Sequence, residues 1–114
     1  MRIGLDVMGG DFAPKAAVLG AIETFKVLPS DQHLVLIGDS NQVKAICEEV
    51  GFDVNNFELV HTDDVIGMGE HPTKAIVKKP NSSIAVGFGL LKEGRIDAFS
   101  SAGNTGAMLV GSMF

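Results

Sequence analysis

The sequence contains no tryptophan and no tyrosine, and its only cysteine is Cys47. A single cysteine cannot form an internal disulfide, and no metal-ligand spacing surrounds it, so we expect a reducing cytoplasm. Basic residues are also scarce, with 9 lysines and arginines against 14 aspartates and glutamates and a formal net charge of −5. Nucleic acid is not an expected partner, because a phosphate backbone attracts a basic surface.

Long apolar runs are missing as well. No segment has the length that a bilayer span requires, and Arg2 places a charge too early for the core of a signal peptide. The chain has 114 residues, of which 46% are hydrophobic and 20% charged, as is typical of one globular domain. No metal site and no cofactor motif is predicted, because neither a dinucleotide fingerprint nor a Walker loop is present.

Strand and helix patterns alternate along the chain. Strands are predicted at residues 2–8, 33–37, 57–61 and 96–100, and helical patterns separate them and follow the last one. The nearly continuous apolar run from His33 to Ile37 indicates a strand that is covered on both faces. We therefore predict an α/β fold with a doubly wound, mainly parallel sheet and no separate domains within residues 1–114.

Two glycine clusters follow predicted strands. One is Met8-Gly9-Gly10-Asp11, and the other is residues 102–106, Ala-Gly-Asn-Thr-Gly. Ligands of parallel sheets bind beyond the carboxyl ends of the strands, so both clusters should lie on the same rim. A glycine-rich turn that opens a helix leaves N–H groups unpaired at the positive end of the helix dipole. The predicted phosphate-binding residues are Ser101, Gly103, Asn104, Thr105, Gly106, Gly9 and Gly10, and the alternative is an ordinary strand–helix turn.

Several side chains are candidates for chemistry. Asn104 and Thr105 can donate hydrogen bonds, and Asp11 can orient a donor, so these three are the candidate catalytic residues. The alternative for Asp11 is that it caps the helix that begins near Pro14. Lys74, Lys78 and Lys79 are possible basic contacts to phosphate or to an acidic carrier, and the alternative is a solvated face. His61 and His71 are interpreted as structural or exposed, because nothing in the sequence orients them.

Two segments together resemble a known family. Residues 1–14, Met-Arg-Ile-Gly-Leu-Asp-Val-Met-Gly-Gly-Asp-Phe-Ala-Pro, and residues 97–107, Asp-Ala-Phe-Ser-Ser-Ala-Gly-Asn-Thr-Gly-Ala, resemble the PlsX-type phosphate acyltransferases of bacterial phospholipid synthesis. The resemblance implies transfer of a fatty acyl group from acyl-[acyl-carrier-protein] to inorganic phosphate, which gives acyl phosphate. It also implies a fold related to isocitrate and isopropylmalate dehydrogenases, a homodimer, and peripheral association with the inner face of the membrane.

The resemblance has two departures. Family chains continue far beyond residue 114, so we expect this chain to be the N-terminal part of a longer fold. Val77 and Pro80 interrupt the basic run that family members often carry. Other functions stay open: a phosphotransacetylase, a decarboxylating dehydrogenase, or a non-catalytic domain that binds a small anion.

Overall fold

The structure is a computed structural model that describes residues 1–113. Four strands form one parallel sheet: β1 (Arg2–Asp6), β2 (His33–Gly38), β3 (Glu58–His61) and β4 (Ala98–Ser100). Their spatial order is β3-β2-β1-β4. The chain therefore adds strands on one side of β1 and then returns to its other side, which places a topological switch point between β1 and β4.

Helices connect the strands and cover the sheet. They are α1 (Lys15–Phe25), α2 (Ser40–Glu49), α3 (Pro72–Lys78), α4 (Ser83–Lys92) and α5 (Thr105–Ser112), with a short 3-10 helix at Val54–Asn56. Parallel strands joined by helices confirm the predicted α/β class. The predicted strand boundaries agree with the observed ones to within two residues, and α5 begins at Thr105, within the second glycine cluster.

Alternate residues of β2 face opposite sides of the sheet. Leu34 and Leu36 pack into the core beneath α1 and α2, whereas Val35 and Ile37 pack with Leu90 of α4 on the other side. Cys47 is fully buried in the first of these cores, and burial raises the pKa of its thiol. The sheet is thus covered on both faces, as the apolar run of β2 predicts.

Within residues 1–113, side chains cap the starts of α2 and α4 but not the start of α1. Asp39 accepts hydrogen bonds from the Asn41 and Gln42 N–H groups at the start of α2, and Ser82 accepts from Ala85 N–H at the start of α4. The capping alternative for Asp11 is wrong, because no side chain caps α1 and Asp11 is exposed. The loop after β1 therefore holds an exposed carboxylate without that structural role.

The two glycines inside α4 differ in their surroundings. A Cβ on Gly87 would overlap the Phe99 ring of β4, whereas a Cβ on Gly89 would meet no atom of residues 1–113 within 4 Å. Gly87 is therefore closely packed against a side chain, and Gly89 is not. Gly87 allows the helix to approach β4, the strand that leads into the second glycine cluster.

None of the helices in residues 1–113 combines the length and apolarity that a membrane crossing requires.

Candidate functional site

The two glycine clusters meet at the carboxyl ends of β1 and β4. These strands are neighbours in the sheet, with Leu5 opposite Ser100 in the register. A Cβ on Gly9 would lie 2.6 Å from the Gly103 nitrogen and 2.7 Å from its Cα. Gly10, with φ +96°, lies beside Ala102. The predicted common rim is therefore confirmed, and the two loops are in main-chain contact at the switch point.

A buried carboxylate lies beneath this contact. Asp6, the last residue of β1, is only 2% exposed. Its Oδ1 accepts from Met8 N–H at 2.8 Å, and its Oδ2 accepts from the Ser101 hydroxyl at 2.7 Å. The Ser101 oxygen in turn accepts from Gly103 N–H at 3.0 Å. Two predicted phosphate-binding groups, the Ser101 hydroxyl and the Gly103 amide, are thus already bonded within the protein.

The first turn of α5 still offers N–H groups. Within residues 1–113, neither Thr105 N–H nor Gly106 N–H donates a hydrogen bond, because the first intrahelical bond is Met108 N–H to Asn104 C=O. Thr105 is exposed and Gly106 is half-buried. These donors lie at the positive end of the α5 dipole, where an anion is stabilised.

Asn104 uses both ends of its side chain inside the protein. It is 4% exposed, and its Oδ1 accepts from Ala107 N–H at 2.9 Å, which caps α5. Its Nδ2 donates to the carbonyls of Gly67 and Glu70, each at 3.0 Å, and of Met68 at 3.4 Å. The side chain therefore ties residues 67–70, here called the 67–70 loop, to the start of α5. A direct contact of Asn104 with phosphate stays a prediction.

The 67–70 loop is also held by an ion pair. Lys79 Nζ lies 2.8 Å from Glu70 Oε2 and donates to Val65 C=O at 2.9 Å. The same Glu70 oxygen accepts from Gly67 N–H. The hydrogen bond from Lys79 and then that from Gly67 lower the pKa of Glu70. Pro72, the first residue of α3, follows this loop closely, and a Cβ on Gly106 would overlap that proline.

The three predicted basic contacts occupy different environments. Lys79 is engaged with Glu70, whereas Lys74 and Lys78 are exposed on α3 and form no ion pair with a described residue. None of the three hydrogen-bonds to either glycine cluster among residues 1–113. Their contact with phosphate or a carrier stays a prediction.

His61 and His71 are exposed and make structural contacts, which agrees with the interpretation from the sequence. His61 Nδ1 lies 3.0 Å from Ser40 Oγ, and its Nε2 lies 2.8 Å from Asp63 Oδ1. His71 caps α3 through Lys74 N–H. These contacts join the end of β3 to the start of α2 and define the start of α3, so they are structural contacts away from the two glycine clusters.

Sequence reasoning missed Glu70, and it noted Asp6 only as an acidic residue beside the first glycine cluster, without its bond to Ser101. Asp6 stands beside the first glycine cluster, but its partner Ser101 is 95 residues away. An acidic residue at the end of a buried strand is the signal that could have singled it out, because an isolated charge is rarely buried. In the described part of the chain, no group of three or more His, Cys, Asp or Glu side chains could hold a metal ion.

The fold and this rim define a class of protein. A parallel sheet in the order β3-β2-β1-β4, with two glycine loops in contact at the switch point, is typical of doubly wound α/β proteins, whose ligands generally bind at such a point.

Comparison with known proteins gives the family. Residues 1–114 match the family described as "Fatty acid synthesis protein", and the chain belongs to it. Proteins named phosphate acyltransferase are similar to it. The one from Clostridioides difficile is 44% identical over 114 residues, which cover 100% of this chain and 33% of the relative. The one from Dictyoglomus turgidum is 43% identical over 109 residues, which cover 96% and 32%. The chain spans about a third of the length of these relatives.

Proposed function

We propose that this chain forms part of an enzyme that transfers a fatty acyl group from acyl-[acyl-carrier-protein] to inorganic phosphate. The products are acyl phosphate, for phospholipid synthesis, and the free carrier. The similarity of the whole chain to phosphate acyltransferases carries the proposal. By the same reasoning we propose a fold related to isocitrate and isopropylmalate dehydrogenases, a homodimer, and a cytoplasmic enzyme that associates peripherally with the membrane.

The phosphate would bind in a crevice on the rim of the sheet, beside the contact between the loops after β1 and β4. Thr105 N–H, Gly106 N–H and the Thr105 hydroxyl are the proposed donors from one side, and the Gly9–Gly10 main chain forms the other side. Main-chain N–H groups at a helix start suit an oxyanion, because they carry partial positive charge without a bulky side chain. Asp11 remains the candidate that orients a donor at the mouth of this crevice, since its carboxylate is exposed.

The chemistry needs few protein groups. Inorganic phosphate is already an anionic nucleophile near neutral pH, so the protein must hold it against the thioester carbonyl and stabilise the oxyanion that develops. Attack of a phosphate oxygen on that carbonyl forms the acyl–phosphate bond, and collapse of the adduct releases the carrier thiolate. Donors fixed before the reaction contribute most, because they need no reorganisation as charge develops.

The test is an assay of the complete polypeptide that carries residues 1–114. It receives acyl-[acyl-carrier-protein] and inorganic phosphate, and acyl phosphate is trapped with hydroxylamine as the hydroxamate. We expect hydroxamate that depends on both substrates. Turnover only with acyl-coenzyme A, or only with a nicotinamide cofactor, would contradict the proposal.

A further inference from the structure

Asp6 is buried without a cationic partner. It is 2% exposed, and none of the ion pairs among residues 1–113 includes it. A carboxylate in such a place costs stability unless its hydrogen bonds compensate for the lost water. The carboxylate also lies behind Gly9, where a Cβ would be 2.8 Å from Oδ2. Asp6 is therefore enclosed by the two loops and is almost completely shielded from solvent.

The hydrogen bonds around Asp6 require a carboxylate. Met8 N–H and the Ser101 hydroxyl donate to different oxygens of the side chain. An asparagine offers one acceptor and one donor group, so it would oppose one of the two incoming donors. The side chain at position 101 must likewise carry a hydroxyl group, because the Ser101 hydroxyl both donates to Asp6 and accepts from Gly103 N–H.

We infer that Asp6 is a positioning residue of the phosphate loop and acts through Ser101. Its carboxylate fixes the direction of the Ser101 hydroxyl, whose oxygen accepts a hydrogen bond from Gly103 N–H. This second bond fixes the orientation of the peptide that leads into α5. The N–H groups of Thr105 and Gly106 are aimed by the same turn. The hydrogen bonds that link Asp6, Ser101 and Gly103 are here called the relay. The effect of the relay on catalysis rests on the proposed function, but the relay itself is independent of that function.

The relay also determines what Ser101 can do. Its only proton is directed to Asp6, and one lone pair is used by Gly103 N–H. Ser101 therefore does not donate to phosphate while Asp6 is a carboxylate, and phosphate recognition falls to the main chain. In an Asp6→Asn variant the amide would donate to Ser101, and the hydroxyl proton would turn elsewhere.

The experiment uses the complete polypeptide with Asp6→Asn, Ser101→Ala and the double variant. We expect each single change to raise the KM for phosphate about tenfold, as for one charge-assisted hydrogen bond, with the KM for the acyl donor unchanged. The double variant should be no worse than either single one, because the two residues act in series. Asp97→Asn is the matched control, since Asp97 accepts from Arg2 N–H at the other end of β1.

A merely structural role gives a different result. Both variants would then melt at lower temperature while their folded fraction kept the wild-type KM for phosphate, and this outcome would overturn the inference. The exchange rate of the Gly103 amide separates the relay from the function. If the enzyme makes no acyl phosphate, the proposed function fails, and faster Gly103 exchange in both single variants still supports the relay. Unchanged exchange would overturn it.

Discussion

Gly9 and Gly103 pack main chain against main chain, and a Cβ on Gly9 would lie 2.7 Å from the Gly103 Cα. The contact joins the two loops that follow β1 and β4. We predict that Gly9→Ala separates them, lowers the free energy of unfolding by about 1–3 kcal/mol, and weakens phosphate binding. Chemical denaturation and phosphate titration of the same variant measure both effects.

Gly20→Ala is the control for that substitution. Gly20 lies inside α1, and a Cβ there would meet no atom of the described residues within 4 Å. Alanine should therefore stabilise the protein by about 0.5–1 kcal/mol through helix propensity. Equal effects of the two substitutions would show that the Gly9 contact has no special importance.

Asn104 has two separable roles, which two substitutions can distinguish. Asn104→Asp keeps an acceptor for Ala107 N–H but loses the donor to the carbonyls of the 67–70 loop. Asn104→Ala loses both, at an expected cost of about 1–3 kcal/mol. We predict faster amide exchange of the loop in both variants, and faster exchange at the start of α5 only in the alanine variant. An unchanged loop in Asn104→Asp would contradict this assignment.

Lowering the pH should weaken the hydrogen bonds that the Glu70 carboxylate accepts from Lys79 and, within the 67–70 loop, from Gly67 N–H. Lys79 and Gly67 N–H lower the pKa of Glu70 from its ordinary value of 4.5. Its contribution to stability is therefore fully present above that value and is lost as the pH falls through the lower folded-state pKa. We predict that Glu70→Gln flattens the pH dependence of unfolding in this acidic range. Glu48→Gln, an exposed change in α2, controls for the lost charge, and parallel curves for Glu70→Gln and wild type would contradict the prediction.

Two substitutions in α4 test its approach to β4. Gly87→Ala would place a methyl group in the Phe99 ring, so we expect a loss of about 1–3 kcal/mol in unfolding free energy. Gly89→Ala, one half-turn away in open space, should instead gain about 0.5–1 kcal/mol. Denaturation of the two variants side by side gives the comparison. A destabilising Gly89→Ala would show that the helix is packed on that side too.

Features that depend on neighbouring residues were predictable from the sequence. The Asp39 cap lies two and three residues from the N–H groups it accepts from, and the apolar run of β2 needed only its own residues. The common rim was predictable as well, because carboxyl ends of neighbouring parallel strands share one edge of a sheet.

Polar contacts between distant segments were not predictable. Asn104 has the same donor and acceptor whether it binds phosphate or the 67–70 loop. The sequence alone does not show which of these two partners lies beside it in the folded chain. Lys79 belongs to a basic run by sequence, but folding places it against Glu70. The Asp6–Ser101 bond depends on β1 and β4 becoming neighbours, which requires the whole strand order.

The central claim is that main-chain N–H groups of the two loops bind phosphate. The direct measurement is a titration of the isotope-labelled protein with inorganic phosphate, followed by amide resonances and repeated with sulfate as competitor. We predict saturable shifts confined to the crevice, at Gly9, Gly10, Thr105 and Gly106, which Gly9→Ala abolishes. Shifts confined to the exposed lysines of α3, with the two loops unchanged, would contradict the claim.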